Sequence, residues 1–248
     1  TSDGTAHGVS VLLGAGGGAF GSAAFYSVPG GPLCVGVRDI NGDGKQDLLA
    51  AVDGGDKIAT YLGTGTGSFG SPSGYFSAEA HSIVLGDLNG DGIPDAVSCG
   101  GFSWHVSNHL GDGAGGFAVH SELFFPFEPF GLVLGDLNGD GHLDGVVGYM
   151  NSVNVVALLG TGTGSFTLGF ASPVGVGPRR LASGDLNRDG KLDVVTANYF
   201  SSDFSVLLGN GAGTFGISFP FFMGPNPTGI ALGDIDGDDV LDVATTNF

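Results

Sequence analysis

Short apolar runs of strand length follow one another along the whole chain. In one stretch the runs read RLASG, LDVVTAN and FSVLLG, and a looser run follows Phe215. Clusters of Gly, Asn, Asp and Pro separate the runs, and these residues break strands and favour turns. Almost no segment has the period of about 3.6 residues that marks an amphipathic helix. The pattern predicts an all-β protein built from short strands.

Five copies of one acidic motif divide the chain into repeats of about 49 residues, which is the size of a propeller blade. These five aspartate loops occupy Asp39–Asp47, Asp87–Asp95, Asp136–Asp144, Asp185–Asp193 and Asp234–Asp242. A second motif, a leucine-rich run ending in GxGxGxF, keeps the same period, with its Phe at positions 20, 69, 117, 166 and 215. Each repeat has room for four antiparallel strands, which together form one blade of a β-propeller.

The sequence therefore predicts a five-bladed β-propeller of four-stranded antiparallel blades, as a single domain spanning residues 1–248. The chain begins within one repeat and ends within another, so residues about 8–26 and about 228–248 are expected to share one blade. Pairing of these N- and C-terminal strands would close the ring and cover exposed strand edges. The alternative is an arbitrary cut through a longer repeat protein.

The aspartate loops have the composition of cation sites. Side-chain oxygens occur at loop positions 1, 3, 5 and 9, position 7 offers its backbone carbonyl, and Gly at position 6 permits a sharp turn in four of the loops. Oxygen-only ligands suit a hard cation, calcium above magnesium, so up to five Ca²⁺ ions are predicted. The alternative is a set of solvated Asx turns. The predicted metal ligands are Asp39, Asn41, Asp43, Lys45, Asp47, Asp87, Asn89, Asp91, Ile93, Asp95, Asp136, Asn138, Asp140, His142, Asp144, Asp185, Asn187, Asp189, Lys191, Asp193, Asp234, Asp236, Asp238, Val240 and Asp242.

The fifth loop departs most from the shared pattern, because Asp236 replaces Asn and Asp239 replaces Gly. Asp tolerates the left-handed backbone conformation better than most residues do. The fifth loop is still counted among the predicted Ca²⁺ sites, with one more carboxylate at position 3.

The charge balance narrows the range of partners. The chain carries 25 Asp plus Glu against 7 Lys plus Arg, for a formal net charge of −18. Nucleic acids and anionic membranes recruit clusters of Lys and Arg, so neither is expected to bind. No apolar run is long enough to predict membrane insertion. Cys34 and Cys99 either form one disulfide or remain two thiols.

The pairing of LLGxGxGxF with GDLNGDGxxD resembles the FG-GAP/VCBS repeats of integrin α-subunit propellers, some fungal and bacterial lectins and many bacterial surface proteins. The resemblance covers nearly the whole chain and implies a calcium-binding propeller with an extracellular or cell-surface role in recognition. It also implies that the aspartate loops and the GxGxG turns lie on one face. Integrin-like propellers usually have seven blades, so the five repeats counted here depart from that pattern.

The connections expected on the opposite face are rich in aromatic residues, which suit sugar or protein recognition. The alternative is that most of these rings pack between blades. One repeat also reads NHLG where others read ALLG or VLLG, which fits either a solvent-facing strand or a pocket. The candidate ligand-binding residues are Trp104, His105, Phe125, Phe127, Tyr199 and Phe221.

These features predict a recognition or adhesion module whose ligand is a carbohydrate or a protein. The alternative is a structural subunit of a secreted filament, surface layer or large adhesin, with copies of itself as partners. A polysaccharide-active enzyme would recruit Glu79, His81 and Glu128 as acid and base groups. No nucleophile motif, cofactor fingerprint or open zinc site accompanies them, so the sequence predicts that the chain is not an enzyme.

Overall fold

The computed structural model describes residues 7–28, 30–53, 57–72, 74–76, 80–100 and 104–248. These residues form 22 β-strands and no helix, which confirms the all-β prediction. They group into two compact units. The first comprises Thr1–Asp87, Asp91–Cys99 and Ser107–Glu122, and the second comprises Leu88–Gly90, Gly100–Val106 and Leu123–Phe248. That all five repeats form one domain stays a prediction.

Four sheets of four antiparallel strands make up most of the described chain. The first blade contains β5 (Gly31–Arg38), β6 (Asp47–Asp53), β7 (Lys57–Tyr61) and β8 (Gly74–Phe76). The second contains β9 (Ser82–Gly86), β10 (Asp95–Cys99), β11 (His105–Gly111) and β12 (Phe117–Phe124). The third contains β13 (Pro129–Gly135), β14 (Asp144–Tyr149), β15 (Asn154–Gly160) and β16 (Phe166–Pro173). The fourth contains β17 (Pro178–Gly184), β18 (Asp193–Asn198), β19 (Asp203–Leu207) and β20 (Phe219–Phe222). In every sheet the strands follow chain order, as they do in a propeller blade.

The remaining strands form three two-stranded sheets. These pair β1 (Gly8–Val11) with β4 (Ala24–Ser27), β2 (Gly14–Gly16) with β3 (Ala19–Phe20), and β21 (Pro227–Gly233) with β22 (Asp242–Asn247). The described residues therefore form four complete blades, where five were predicted. The predicted ladder between the two ends of the chain is not among the pairings of the described residues. Because a blade packs mainly on its neighbours in sequence, no local interaction specifies a ladder between segments about 200 residues apart.

The middle strands of the third and fourth blades supply the core of the second unit. β14 and β18 are buried along their whole length. Strands covered on both faces favour the continuous apolar runs found here. Val146 and Ala157 of the third blade pack with Val194 and Leu207 of the fourth, whereas the outer strands β16 and β20 are mostly exposed. The first unit has its own core, which includes Ile40, Leu49, Ile58, Ile83 and Ala96.

Antiparallel chain order gives each blade two different ends. The turn from the first to the second strand is the aspartate loop, and the turn from the third to the fourth is the GxGxGxF segment. Both turns lie at one end of the sheet, called here the aspartate end. The turn from the second to the third strand and the connection to the next blade lie at the other, called the distal end. The fold thus separates the repeated acidic turns from the variable aromatic ones.

Candidate functional site

In each aspartate loop the carboxylate at position 1 organises the turn. In the first loop Asp39 Oδ1 accepts hydrogen bonds from the N–H groups of Gly42 at 2.8 Å and Asp43 at 3.2 Å, and its Oδ2 accepts one from Gly44 at 2.8 Å. Gly42 and Gly44 have φ values of 72° and 80°, which glycine adopts without strain. The same bond from position 6 to position 1 recurs in all the other loops. The chain therefore wraps around one carboxylate in every repeat.

The oxygens at positions 3 and 5 cap the next turns of the loop. Asn41 Oδ1 accepts from the N–H of Asp43 at 3.0 Å, and Asp43 Oδ1 accepts from the N–H of Lys45 at 3.0 Å. Such side-chain to backbone bonds favour tight turns over regular structure. They hold the side chains of Asn41 and Asp43 against the backbone of the loop.

The aspartate at position 9 makes a connection that the sequence did not predict. Asp144 is 0% exposed, and its Oδ2 accepts from the N–H of Leu137 at 2.9 Å while its Oδ1 accepts from the N–H of Gly160 at 2.7 Å. One bond returns to position 2 of the same loop and the other reaches the end of β15. A Cβ on Gly160 would overlap the carbonyl oxygen of Leu143, so only glycine fits there. We call this arrangement the carboxylate clasp.

The carboxylate clasp recurs through the chain. The N–H of a glycine sixteen residues further on donates to the position-9 carboxylate in all four complete blades. The position-9 residues of these blades, all 0% exposed, are Asp47, Asp95, Asp144 and Asp193. The sequence shows a constant spacing between this Asp and the glycine at or just after the end of the third strand. Only the strand pairing reveals that the two residues are joined by a hydrogen bond. Position 9 therefore fixes the loop to the sheet, whether or not it also binds metal.

Burial raises the pKa of Asp144 above its ordinary value, and the nearby carboxylates of Asp140 and Asp136 raise it further, whereas hydrogen bonds from Gly160 and Leu137 act in the opposite direction. Without a cation, the folded state therefore holds this proton more tightly than the unfolded chain does. Stability contributed by Asp144 is then lost as pH rises through the pKa of the folded state. A bound cation would offset that loss.

Lysine side chains enter two of the loops. Lys45 Nζ lies 2.9 Å from Asp43 Oδ2, and Lys191 Nζ lies 3.3 Å from Asp189 Oδ2. The hydrogen bond from Lys45 lowers the pKa of Asp43 and raises the pKa of the lysine. Both pairs are solvent-exposed and therefore contribute little to stability. Sequence reasoning gave position 7 only a carbonyl, whereas its side chain also neutralises charge at position 5.

The fifth loop brings together the donors of a cation site. One carboxylate oxygen from each of Asp234, Asp236 and Asp242 lies within 4.8 Å of the others. Two oxygens at about 2.4 Å from one calcium ion lie at most about 4.8 Å apart, so the cluster fits a single ion. Asp239 at position 6 has a φ of 61°, the conformation that glycine adopts in the other loops. The residues present fit calcium, and its binding stays a prediction.

Arg188 joins the fourth and fifth loops. It occupies position 4, where the other loops have glycine, and keeps the same turn with a φ of 61°. Its NH2 group donates to the carbonyl of Asp238 at 2.7 Å and its Nε donates to the carbonyl of Asp239 at 3.1 Å. Arg188 thus adopts a backbone conformation that costs a non-glycine residue about 1 kcal/mol or more. Its side chain makes two hydrogen bonds to the neighbouring loop.

The strain at Arg188 predicts an order of stabilities. Arg188→Met keeps the strained backbone and loses both bonds, whereas Arg188→Gly loses the bonds and the strain. We expect the Gly variant to be more stable than the Met variant by about 1 kcal/mol in urea unfolding with saturating calcium. Equal stability of the two variants would show that the φ of 61° carries no cost.

The candidate ligand residues at the distal end lie in different settings. Trp104 precedes β11, is 49% exposed and has a φ of 56°. Its carbonyl accepts from the N–H of Phe125 at 2.8 Å, and the ring of His105 lies 5.6 Å from that of Phe124. Phe127, in the connection to β13, is 46% exposed. The structure therefore brings the backbones of Trp104 and Phe125 together and leaves the Trp104 and Phe127 rings in solvent.

Two candidates lie elsewhere than expected. Phe125 is 8% exposed and packs on Tyr149 with ring centroids 5.4 Å apart, so its ring belongs to the core. Phe221 lies within β20 on the outer edge of the fourth blade, not in a distal connection, and stacks on Phe204 at 4.9 Å. Aromatic runs alone could not distinguish an exposed loop from an outer strand. Tyr199 follows β18 at the distal end, as expected, and is half-buried.

The NHLG segment of the second blade is buried, so a solvent-facing strand is the wrong explanation for it. Asn108 is 2% exposed and its Nδ2 donates to Ser121 Oγ at 3.2 Å. His109 is 0% exposed and its Nε2 lies 3.0 Å from Ser98 Oγ. Polar partners across neighbouring strands let these side chains replace the apolar pairs of other blades.

Some predictions fall outside the described residues. Glu79, considered as an acid or base group, lies there. His81 belongs to the first unit and Glu128 to the second. The described part of the chain contains no helix with the length and apolar character needed to span a membrane.

The profile of the FG-GAP-like repeat matches residues 39–98, 136–196 and 185–245, which together are more than half of the chain. The chain belongs to the FG-GAP-like repeat family. The resemblance read from the aspartate loops and the GxGxGxF turns is confirmed. No curated protein matches this FG-GAP-like chain in sequence.

Several solved structures share the fold of this FG-GAP-like protein. Pseudomonas aeruginosa periplasmic gluconolactonase is 17% identical, with a TM-score of 0.67, over 96% of this chain and 66% of that one. An Agrocybe aegerita lectin that recognises non-reducing terminal N-acetylglucosamine is 21% identical, with a TM-score of 0.57, over 85% and 59%. BBS1N in complex with ARL6 is 15% identical, with a TM-score of 0.58, over 80% and 59%. The chain thus spans about three fifths to two thirds of the length of these matched structures. Identities this low show a shared fold and nothing further.

The gluconolactonase corrects one prediction. The sequence predicted that the chain is not an enzyme, because no nucleophile or cofactor motif was found. A periplasmic gluconolactonase has a similar fold, so an enzyme can be built on it, and the exclusion is wrong. The reasoning failed because one fold can host many functions, so the lack of a contiguous motif excludes no activity.

Proposed function

We propose that the chain is a calcium-bound recognition module that acts outside the cell and binds carbohydrate at the distal end of its blades. The contrast between the two blade ends carries the proposal. The aspartate end repeats one loop with the same internal bonds, whereas the distal end differs from blade to blade in length and aromatic content. Binding residues commonly lie on variable loops that a rigid scaffold positions, so we assign the ligand site to the distal loops and the scaffold role to the repeated aspartate loops.

A groove of about 250 Å³ beside the third blade gives this proposal a location. Phe127 and Tyr149 contribute aromatic rings to its wall, and Ser152 and Asn154 contribute a hydroxyl and an amide. Aromatic faces pack on the apolar faces of sugar rings, while hydroxyl and amide groups pair with sugar hydroxyls. The similar fold of a lectin supports carbohydrate as the ligand class.

The calcium ions are proposed to hold the blades and not to contact the ligand. The carboxylate clasp ties the aspartate loop to the sheet in the four complete blades, and the Arg188 bonds join the fourth loop to the fifth. Metal bound there would stiffen the end of the blade far from the distal loops. The extracellular setting supplies calcium at the concentrations that such sites need, about 10⁻⁴ to 10⁻³ M.

The proposal predicts saturable binding on a glycan array that distal-end variants weaken. Phe127→Ser and Trp104→Ser are each expected to weaken affinity about tenfold or more, because exposed rings of this kind act as anchors. Phe222→Ser is the matched control, since Phe222 is 86% exposed but lies on the outer strand β20. Calorimetry on the best array ligand measures the change, and thermal melting confirms that each variant is folded.

Two results would overturn this assignment. Absence of binding to any glycan in calcium would remove carbohydrate as the ligand. Loss of binding in Asn89→Ala at unchanged stability, with Phe127→Ser unaffected, would move the working surface to the aspartate end.

Assembly of copies is a second candidate, favoured by the outer strand of the fourth blade. Phe219, Phe221 and Phe222 are 50%, 48% and 86% exposed along β20. Exposed apolar residues on an edge strand favour pairing with another chain. Ordered polymers of the wild type under the electron microscope, lost in Phe222→Ser, would support this candidate, and a monodisperse monomer in light scattering would exclude it.

A further inference from the structure

Arg179 stands at the distal end of the fourth blade in an unusual backbone position. The register between β17 and β18 passes from Pro178 opposite Asn198 to Arg180 opposite Ala197, so Arg179 is the extra residue of a β-bulge. Bulges re-aim a side chain away from the regular direction of the strand. Arg179 is half-buried.

Two aromatic rings hold the guanidinium of Arg179. Its Cζ lies 4.6 Å from the centroid of the Phe130 ring and 5.1 Å from that of Tyr199. Stacking on rings covers the faces of a guanidinium and leaves its N–H groups pointing outward in the plane. The side chain is thus fixed with its hydrogen-bonding edge available.

No described residue accepts a hydrogen bond from that edge or forms an ion pair with it. By contrast, the guanidinium of Arg188 donates to two backbone carbonyls and that of Arg38 donates to one. With 25 acidic residues against 7 basic ones, an arginine without a carboxylate partner is unexpected. No Arg179 nitrogen is among the buried atoms that lack a partner in the described chain, so its N–H groups are open to solvent and can donate to an anion from outside.

A buried polar network fixes the turn that carries Tyr199. Asn198 Nδ2 donates to Asp203 Oδ1 at 2.7 Å, and Ser201 Oγ donates to the same oxygen at 2.9 Å. Ser201 Oγ also accepts from the N–H of Val176 at 2.8 Å, which ties in the connection from the third blade. A rigid turn keeps Tyr199 against Arg179 before any ligand arrives, which lowers the entropic cost of binding.

The same bulge recurs at the start of other first strands. Residue 130 is the extra residue in β13, and residue 228 is the extra residue in β21, each after a proline. The equivalent bulge position is therefore occupied by an apolar side chain in β13 (Phe130), a cationic one in β17 (Arg179) and a hydroxyl in β21 (Thr228). Of these three side chains only that of Arg179 is charged. Arg180 follows it in β17 and adds a second positive charge, with its Cζ 5.3 Å from the centroid of the Phe130 ring.

We propose that Arg179 is an anion subsite that selects saccharides carrying a carboxylate, such as hexuronates. The planar carboxylate matches the guanidinium edge with two parallel hydrogen bonds. The Tyr199 ring beside it offers a surface for the sugar ring. Carboxylated sugar is favoured over an acidic peptide because the ligand of the distal end is proposed to be carbohydrate, and the inference rests on that proposed function.

The test compares a hyaluronan tetrasaccharide with its carboxyl-reduced counterpart by calorimetry in calcium. The wild type is expected to prefer the acidic form about tenfold or more, Arg179→Gln to lose the preference, and Arg179→Lys to keep part of it, since a lysine supplies charge without the fork. Arg38→Gln is the matched control, because it removes the same charge in the first blade. Melting temperatures establish that all variants are folded.

Each outcome separates the subsite from the wider proposal. Binding of neutral glycans on the array with no acidic preference in the wild type would overturn the subsite and leave carbohydrate recognition standing. An acidic preference that survives Arg179→Gln, or falls equally in Arg38→Gln, would also overturn it. Binding of a short poly-glutamate peptide through Arg179, with no binding of either tetrasaccharide, would overturn the assignment to sugar.

Discussion

Chelation of calcium is expected to lower the melting temperature of the protein by tens of degrees or to unfold it outright. Seventeen of the 25 acidic residues lie in the five aspartate loops, where unscreened carboxylates repel one another. A ligand at ten times its dissociation constant stabilises the folded state by about 1.4 kcal/mol per site. Five such sites would supply about 7 kcal/mol, which is comparable with the whole stability of an ordinary domain.

Thermal melting in calcium, in chelator, and in chelator followed by excess calcium measures this effect, and metal analysis gives the stoichiometry. Magnesium at the same concentration is the control for ionic strength, because magnesium prefers an octahedral shell with bound water. Protein prepared in millimolar calcium that contains no calcium, or a melting temperature indifferent to chelator, would contradict the calcium assignment.

The sequence predicted the period and strand order well because both depend on local features. A blade is specified by its own turns, and the turn residues Gly42 and Gly44 stand in the printed sequence with the spacing that the structure uses. The separation of the aspartate end from the distal end follows from antiparallel order alone. These features can be predicted without knowing which side chains pack together in the folded protein.

Features that depend on packing between strands could not be read in advance. The carboxylate clasp joins residues sixteen positions apart, and its meaning requires the pairing of β14 with β15. The burial of His109 depends on Ser98 lying across from it. Whether Phe221 lies in a loop or on an outer strand depends on how far the fourth strand extends. In each case the local pattern was compatible with two environments.

Asp144 is expected to hold its loop to the sheet even when calcium is bound. Asp144→Asn should destabilise the calcium-loaded protein by about 3 kcal/mol or more, because its amide can replace only one acceptor and turns an N–H donor toward a backbone N–H. The matched control is Asp140→Asn, which changes a carboxylate of the same loop that bonds only within the loop.

The two variants should respond differently to added calcium. Asp140→Asn weakens a proposed ligand, so raising the calcium concentration should restore its melting temperature by mass action. Asp144→Asn loses a buried hydrogen bond that no concentration of metal replaces, so most of its deficit should remain at saturating calcium. Urea unfolding across a calcium series distinguishes the two. If high calcium rescues both variants equally, position 9 acts only as a metal ligand and the carboxylate clasp contributes nothing of its own.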